Sequence, residues 1–65
     1  MKFPLFIQVA LTEDIPEYGL NKGSAGTIVE YYPMASDRED GYSLEGLIPK
    51  DTVEVAESQI QYISV

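Results

Sequence analysis

Apolar residues recur along this chain in short runs with a period of two, and Gly, Pro and acidic residues separate the runs. That rhythm predicts strands and turns, and no segment holds a helical stripe over three turns. A first strand is expected over residues 6–11. Ile7, Val9 and Leu11 form its stronger core face, with Phe6, Gln8 and Ala10 opposite. Residues 12–21 are too polar and too punctuated for a strand. Ile15-Pro16 forces an extended residue before the proline, and Tyr18-Gly19 offers a turn where positive φ is free. Ile15 and Leu20 are apolar islands expected to tuck back onto the sheet and order this loop. A loop of this length with its own anchors is a common place for function.

Asn21-Lys22-Gly23 predicts a turn, and Gly26 three residues after Gly23 suits a close backbone approach. Residues 27–32 are rich in β-favouring types, with Val29 and Tyr31 expected on one face and Ile28 and Tyr32 on the other. Pro33 ends that strand. A charged loop follows and closes at Asp40-Gly41, a hairpin signal. Residues 42–48 alternate, placing Tyr42, Leu44 and Ile48 inside and Ser43 and Glu45 outside. Gly46 in this strand predicts a bulge or sharp bend. Pro49-Lys50-Asp51 is a turn, and residues 52–55 are a short strand with Val53 and Val55 inward. Residues 56–59 suit a single helical turn, and residues 60–65 a last strand with Ile60 and Ile63 buried. The whole predicts one all-β domain over residues 1–65: a small five-stranded, partly open barrel of the SH3-like kind, with one short helical turn before the last strand.

A chain of 65 residues buries only about 60% of its unfolded surface, so its core is marginal. With no Cys and no His, disulfides, thiolate metal sites and imidazole chemistry are excluded. The remaining aids are good packing or association with another chain. Eleven acids against four bases give a formal charge of −7. Lys2, Lys22, Arg38 and Lys50 are too few and too scattered to neutralise phosphates, so neither nucleic acid nor an anionic membrane is an expected partner. A basic protein would be attracted, and its encounter would be faster at low salt. No run of about 18 apolar residues could span a membrane. Pro4 and the early acids Glu13 and Asp14 argue against a signal peptide. The expected location is the cytoplasm.

The stretch over residues 9–32, VALTEDIPEYGLNKGSAGTIVEYY, resembles the small bacterial family known as domain of unknown function 4926. Asp14, Pro16, Leu20, Gly23, Gly26 and Thr27 fall in step with its pattern. Val53, Glu54, Val55, Ser58, Gln59 and Ile60 are similar to the family's closing strand and turn. The chain departs from the pattern at Leu44-Glu45-Gly46-Leu47-Ile48-Pro49-Lys50. The resemblance implies an SH3-like barrel in a family frequent among bacteria with many mobile gene cassettes, and carries no activity with it.

Three constellations invite chemistry. Glu13, Asp14 and Glu17 cluster in the first loop, where paired carboxylates do acid–base work only if burial separates their pKa values. A small filled barrel offers little room for such a pocket, so the competing readings are a solvated loop shaped by Asp14 or Thr12, and a contact surface for a basic partner. Asp37, Glu39 and Asp40 precede Gly41, but Arg38 intrudes and position 47 is Leu, so the calcium-loop pattern fails. Gly23-Ser24-Ala25-Gly26-Thr27 lacks the Lys and the helix of a phosphate loop, and Ser24 has no His to activate it. Five tyrosines are many for this length; Tyr18 and Tyr32 are the candidates to meet at the first loop as contact residues.

The expectation is therefore a non-enzymatic acidic protein-binding module, in the manner of an antitoxin or immunity protein that neutralises a basic partner. The alternative is an accessory subunit of a larger bacterial complex, and a carboxylate-dependent hydrolase is the third reading. No cofactor or metal is expected. The contact candidates are Glu13, Asp14, Glu17, Tyr18 and Tyr32. The residues shaping turns are Pro16, Gly19, Gly23, Gly26 and Gly41. A partly open barrel also leaves an edge strand through which two copies could pair.

Overall fold

The structure is a computed structural model and describes residues 3–63. Five antiparallel strands form one sheet: β1 (Gln8–Leu11), β2 (Ala25–Tyr32), β3 (Gly41–Ile48), β4 (Asp51–Ala56) and β5 (Ile60–Tyr62). Their order in the sheet is β4-β3-β2-β1-β5. The first four strands make a meander, and β5 returns to lie on the free side of β1. Two 3-10 turns complete the elements, Pro16–Tyr18 in the first loop and Glu57–Gln59 between β4 and β5. The all-β expectation holds, as does the helical turn before the last strand. Among the described residues β4 and β5 share no ladder, so the sheet is open and not closed into a barrel. Among the described residues no helix is long and apolar enough to cross a membrane.

One apolar cluster lies on the concave face. Val9 and Leu11 of β1, Ile28 of β2, Tyr42 and Leu44 of β3, Val53 and Val55 of β4 and Ile60 of β5 are all buried there, with Phe3 and Ile15 beside them. These are the inward positions of period-two strands, so alternation alone places most of them. Ile7 packs against the cluster from before β1, while Phe6 is exposed at a positive φ of 67°. Ile15 is buried and bridges Leu20 across the first loop, as the apolar islands require. Ile63 lies exposed just beyond β5, against expectation, because the described ladder with β1 ends at Tyr62. The last two positions assigned to that strand, 64 and 65, lie outside the described residues.

Two bulges shape the sheet. In β2 the register with β3 shifts between Ile28, opposite Leu44, and Glu30, opposite Ser43. Val29 is the extra residue, and beyond it the alternation changes phase. Ile28 and Tyr31 therefore share the core side, opposite Leu44 and Tyr42, whereas strict alternation pairs Ile28 with Tyr32. In β3 the second shift falls between Glu45 and Ile48, where Gly46 adopts φ 97°. This is the bulge the glycine predicts. Gly41 opens β3 opposite Tyr32 and Ala56, so the hairpin closes there while the turn itself lies earlier, with the Arg38 amide on the Ala35 carbonyl at 2.9 Å.

Gly26 is a matter of space. A methyl there would stand 3.1 Å from Leu47 Cγ, 3.2 Å from Leu44 Cβ and 3.3 Å from the Glu45 carbonyl oxygen. Gly26→Ala is expected to destabilise the fold by about 1–3 kcal/mol through overpacking, read from the urea midpoint. A midpoint equal to wild type would refute the close approach. Lys50 is the opposite case. It holds φ 61° after Pro49, in a turn position that favours Gly. Lys50→Gly is expected to stabilise by about 0.5–1 kcal/mol, the left-handed strain relieved less the entropy of a glycine in the unfolded chain. A lower melting temperature would contradict it.

Candidate functional site

The first loop is ordered by its own polar residues. The Thr12 hydroxyl donates to the Ser58 carbonyl at 2.8 Å, and the Thr12 amide to the Gln59 carbonyl at 2.9 Å. Asp14 Oδ1 accepts the Lys22 amide at 2.7 Å, across a turn of eight residues. Ile15 and Leu20 exchange backbone bonds at 2.9 and 3.1 Å, enclosing Pro16–Tyr18, and Gly19 follows with φ 67°. Asp14 thus shapes the turn. Glu13, Glu17 and Tyr18 stand exposed.

A second loop, over residues 33–40, is held from inside by acids. Asp40 Oδ2 accepts the Tyr31 hydroxyl at 2.6 Å, and its Oδ1 accepts the Met34 amide at 3.1 Å. Glu39 reaches the 3-10 turn before β5, taking the Ser58 amide at 2.7 Å and the Ser58 hydroxyl at 3.0 Å. Glu57 Oε2 accepts the buried Tyr42 hydroxyl at 2.8 Å, and the Glu57 amide donates to the Asp40 carbonyl at 3.0 Å. On the opposite side of the sheet Tyr32 and Ser43 share a hydroxyl–hydroxyl bond of 2.8 Å, which accounts for a buried serine at an outward position.

These contacts wall a cleft of about 390 Å³ at the end of the β2–β3–β4 surface. Tyr32, Met34 and Ala56 give it an apolar lining, and Glu39, Asp40 and Glu54 stand around it. Met34 is about half exposed, an apolar side chain left at the mouth. No Lys or Arg lines the cleft. Among the described residues the Glu54 side chain makes no hydrogen bond, so its carboxylate is free to meet a cation. Apolar surface beside unneutralised carboxylates is suited to a side chain with an aliphatic stem and a positive tip.

The bond between Tyr31 and Asp40 sets the charge state of both. The carboxylate pushes the Tyr31 phenol up to about 12, with desolvation adding to it. The Tyr31 hydroxyl, followed by the Met34 amide, holds Asp40 below its ordinary value. Asp40 is thereby a settled anion with both oxygens engaged, a poor general base.

Of the expected contact residues, Glu13, Asp14, Glu17 and Tyr18 share the first loop, while Tyr32 sits in the cleft at the other end of β2. Among the described residues no ring contact joins Tyr18 to Tyr32. Sequence reasoning did not single out Met34, Glu54 or Ala56 as contact residues. It met Glu39 as a failed calcium ligand and Asp40 as that and as a hairpin signal, and their spacing from Ser58 and Tyr31 had no signature to offer. Among the described residues no group of three acids is placed to hold a metal ion.

The family model of a domain of unknown function (DUF4926) matches residues 5–45, more than half of the chain. The chain belongs to this family. The match takes in β1, the first loop, β2, the second loop and most of β3, and therefore Tyr32, Met34, Glu39 and Asp40; Glu54 and the segment that resembles the family's closing strand lie beyond it. No curated protein and no solved structure matches the chain.

The pKa shifts fix a pH signature. Asp40, depressed, contributes stability that is present above the ordinary carboxylate value of 3.8 and lost as pH falls through its folded value. Tyr31, raised, contributes stability that is full below 10.0 and lost as pH rises through about 12. Wild type is therefore expected to melt above Tyr31→Phe by a constant margin at neutral pH, and the margin should close at both extremes. Melting temperature against pH for the two proteins reads it. A margin that is absent, or unchanged at both ends, would show that this bond does not order the loop.

Proposed function

We propose that this chain is a non-enzymatic binding module that takes a basic protein segment into the cleft between Tyr32, Met34 and Glu54, and that it neutralises such a partner as an antitoxin or immunity protein does. The observation that carries this reading is the pairing of apolar lining with carboxylates and no cation in one cleft, on a chain with a formal charge of −7. The field of the whole molecule speeds the encounter with a cation, and the cleft supplies the apolar contact that holds it. The engaged state of Asp40 and Glu39 favours binding over turnover. Their oxygens are spent on Tyr31, Met34 and Ser58, which fixes the shape of the rim.

The first loop gives long-range attraction. Glu13 and Glu17 are exposed beside Tyr18 and add to the field that draws in a cation.

The test uses a fluorescent octapeptide of alternating Lys and Val, with an alternating Glu and Val peptide as control. The Lys-Val peptide is expected to bind and the Glu-Val peptide to fail. Binding should weaken as salt rises from about 50 to 500 mM, and Glu54→Gln should weaken it roughly three- to tenfold at constant melting temperature. Equal binding of the two peptides, or none of either, would remove the support for this reading.

A further inference from the structure

β4 is an edge strand, and the direction of its amides can be read residue by residue. The Glu57 amide donates to Asp40 of the neighbouring chain segment. The Ala56 amide does not face β3: it donates to the Gln59 side chain, Oε1, at 2.8 Å. The Thr52 amide likewise goes to a side chain, Asp51 Oδ1, at 2.8 Å. In an antiparallel ladder consecutive residues turn their N–H and C=O alternately to the two sides. The amides of Val53 and Val55 therefore serve β3, and those of Thr52, Glu54 and Ala56 point off the sheet. Two of these three outward donors are capped by the chain's own Asp51 and Gln59. Glu54 is the one between them, exposed, and its free carboxylate lines the cleft.

We propose that the partner's basic segment binds as an extended strand along β4, pairing its backbone about Glu54, so that its flanking side chains enter the cleft. The inference rests on the cleft reading above and adds to it the backbone register. An added strand forms hydrogen bonds through its main chain and is selected through alternate side chains. Here the caps occupy the outward N–H of both neighbours and leave Glu54 the one residue of the three whose outward N–H is open to a partner, with its C=O on the same side. So short a ladder is weak, so the Lys or Arg beside it and the apolar residue against Met34 supply the selection. Charge complementarity favours a basic occupant over a second copy of this chain: pairing two β4 edges about this position sets Glu54 near Glu54, between molecules that each carry −7.

The experiment measures binding of the same Lys-Val octapeptide to wild type, Glu54→Gln and Glu54→Pro, together with amide hydrogen exchange of the wild type. Proline removes the outward N–H and is tolerated on an edge whose amide faces away from the ladder. Glu54→Pro is expected to bind about three- to tenfold more weakly than Glu54→Gln, the range of one lost hydrogen bond. The Glu54 amide should exchange freely in the unbound protein and slow about tenfold on saturation, with Val53 and Val55 little changed. If the peptide binds but Glu54→Pro equals Glu54→Gln and the amide is not slowed, edge pairing is overturned while the cleft reading stands. Should Glu54→Pro fail to fold, the exchange of the wild-type amide decides alone. If wild type binds no peptide, both readings fall. If it sediments as a dimer that protects the Glu54 amide without peptide, the occupant is a second copy and the proposal is overturned.

Discussion

The burial of Tyr42 is the constraint on which the rest of this small fold depends. Its side chain is wholly removed from solvent, which is costly for a phenol unless the hydroxyl is bonded. The ring lies edge-on to Phe3 with centroids 5.6 Å apart and tilted against Tyr31 at 5.4 Å. The hydroxyl donates to Glu57. One side chain in β3 thereby fixes the segment before β1, the end of β2 and the turn before β5. The placement of Tyr31 next to it needs the Val29 bulge, and with Tyr31 in place its own hydroxyl reaches Asp40 and organises the second loop. The cleft is a by-product of this chain of requirements. Its rim stands where it does because the tyrosines beneath it must satisfy their hydroxyls.

The acids divide accordingly into two populations. Asp14, Glu39, Asp40, Asp51 and Glu57 are spent on amides and hydroxyls of the chain itself. They act as loop fasteners in a protein too small to order its loops by apolar burial alone. Glu13, Glu17, Glu30, Asp37, Glu45 and Glu54 remain open to solvent. A sequence with eleven acids looks uniformly solvated, yet in space five of those charges are structural, and the other six are spread over the first loop, the second loop and the exposed positions of β2, β3 and β4.

This division also explains what could be read in the sequence. Val9, Leu11, Val53, Val55 and Ile60 follow from alternation, because a strand has only two faces and one is covered. Ile15 and Leu20 could be placed because apolar residues in a polar loop have one good use. Gly46 announced its bulge by being a glycine in a strand. Val29 gave no such notice: it is a strong strand former, and the extra residue there is imposed by how β2 must meet β3. The face assignments of Ile28, Tyr31 and Tyr32 failed at that point for that reason. The cleft was illegible on different grounds. Tyr32, Met34, Glu39 and Glu54 come from three stretches of chain, and only the register of the β2–β3–β4 ladder brings them to one place. The resemblance to the family helped with the first half of the fold and is silent on this surface.

The ties between the ends of the chain have a temporal consequence. Thr12 is bonded to Ser58 and Gln59, 46 residues downstream for the first of them, and β1 has β5 as its second neighbour. While the polypeptide emerges from the ribosome, β2, β3 and β4 can find one another early through short connections. The strand made first must wait for nearly the last one before Val9 and Leu11 are covered. Folding thus includes the closing of a loop of 46 residues between Thr12 and Ser58, a long-range pairing of the kind that goes with slow folding. During that interval the nascent sheet presents two open sides, and the charge that later distinguishes the finished surface also keeps neighbouring nascent chains apart.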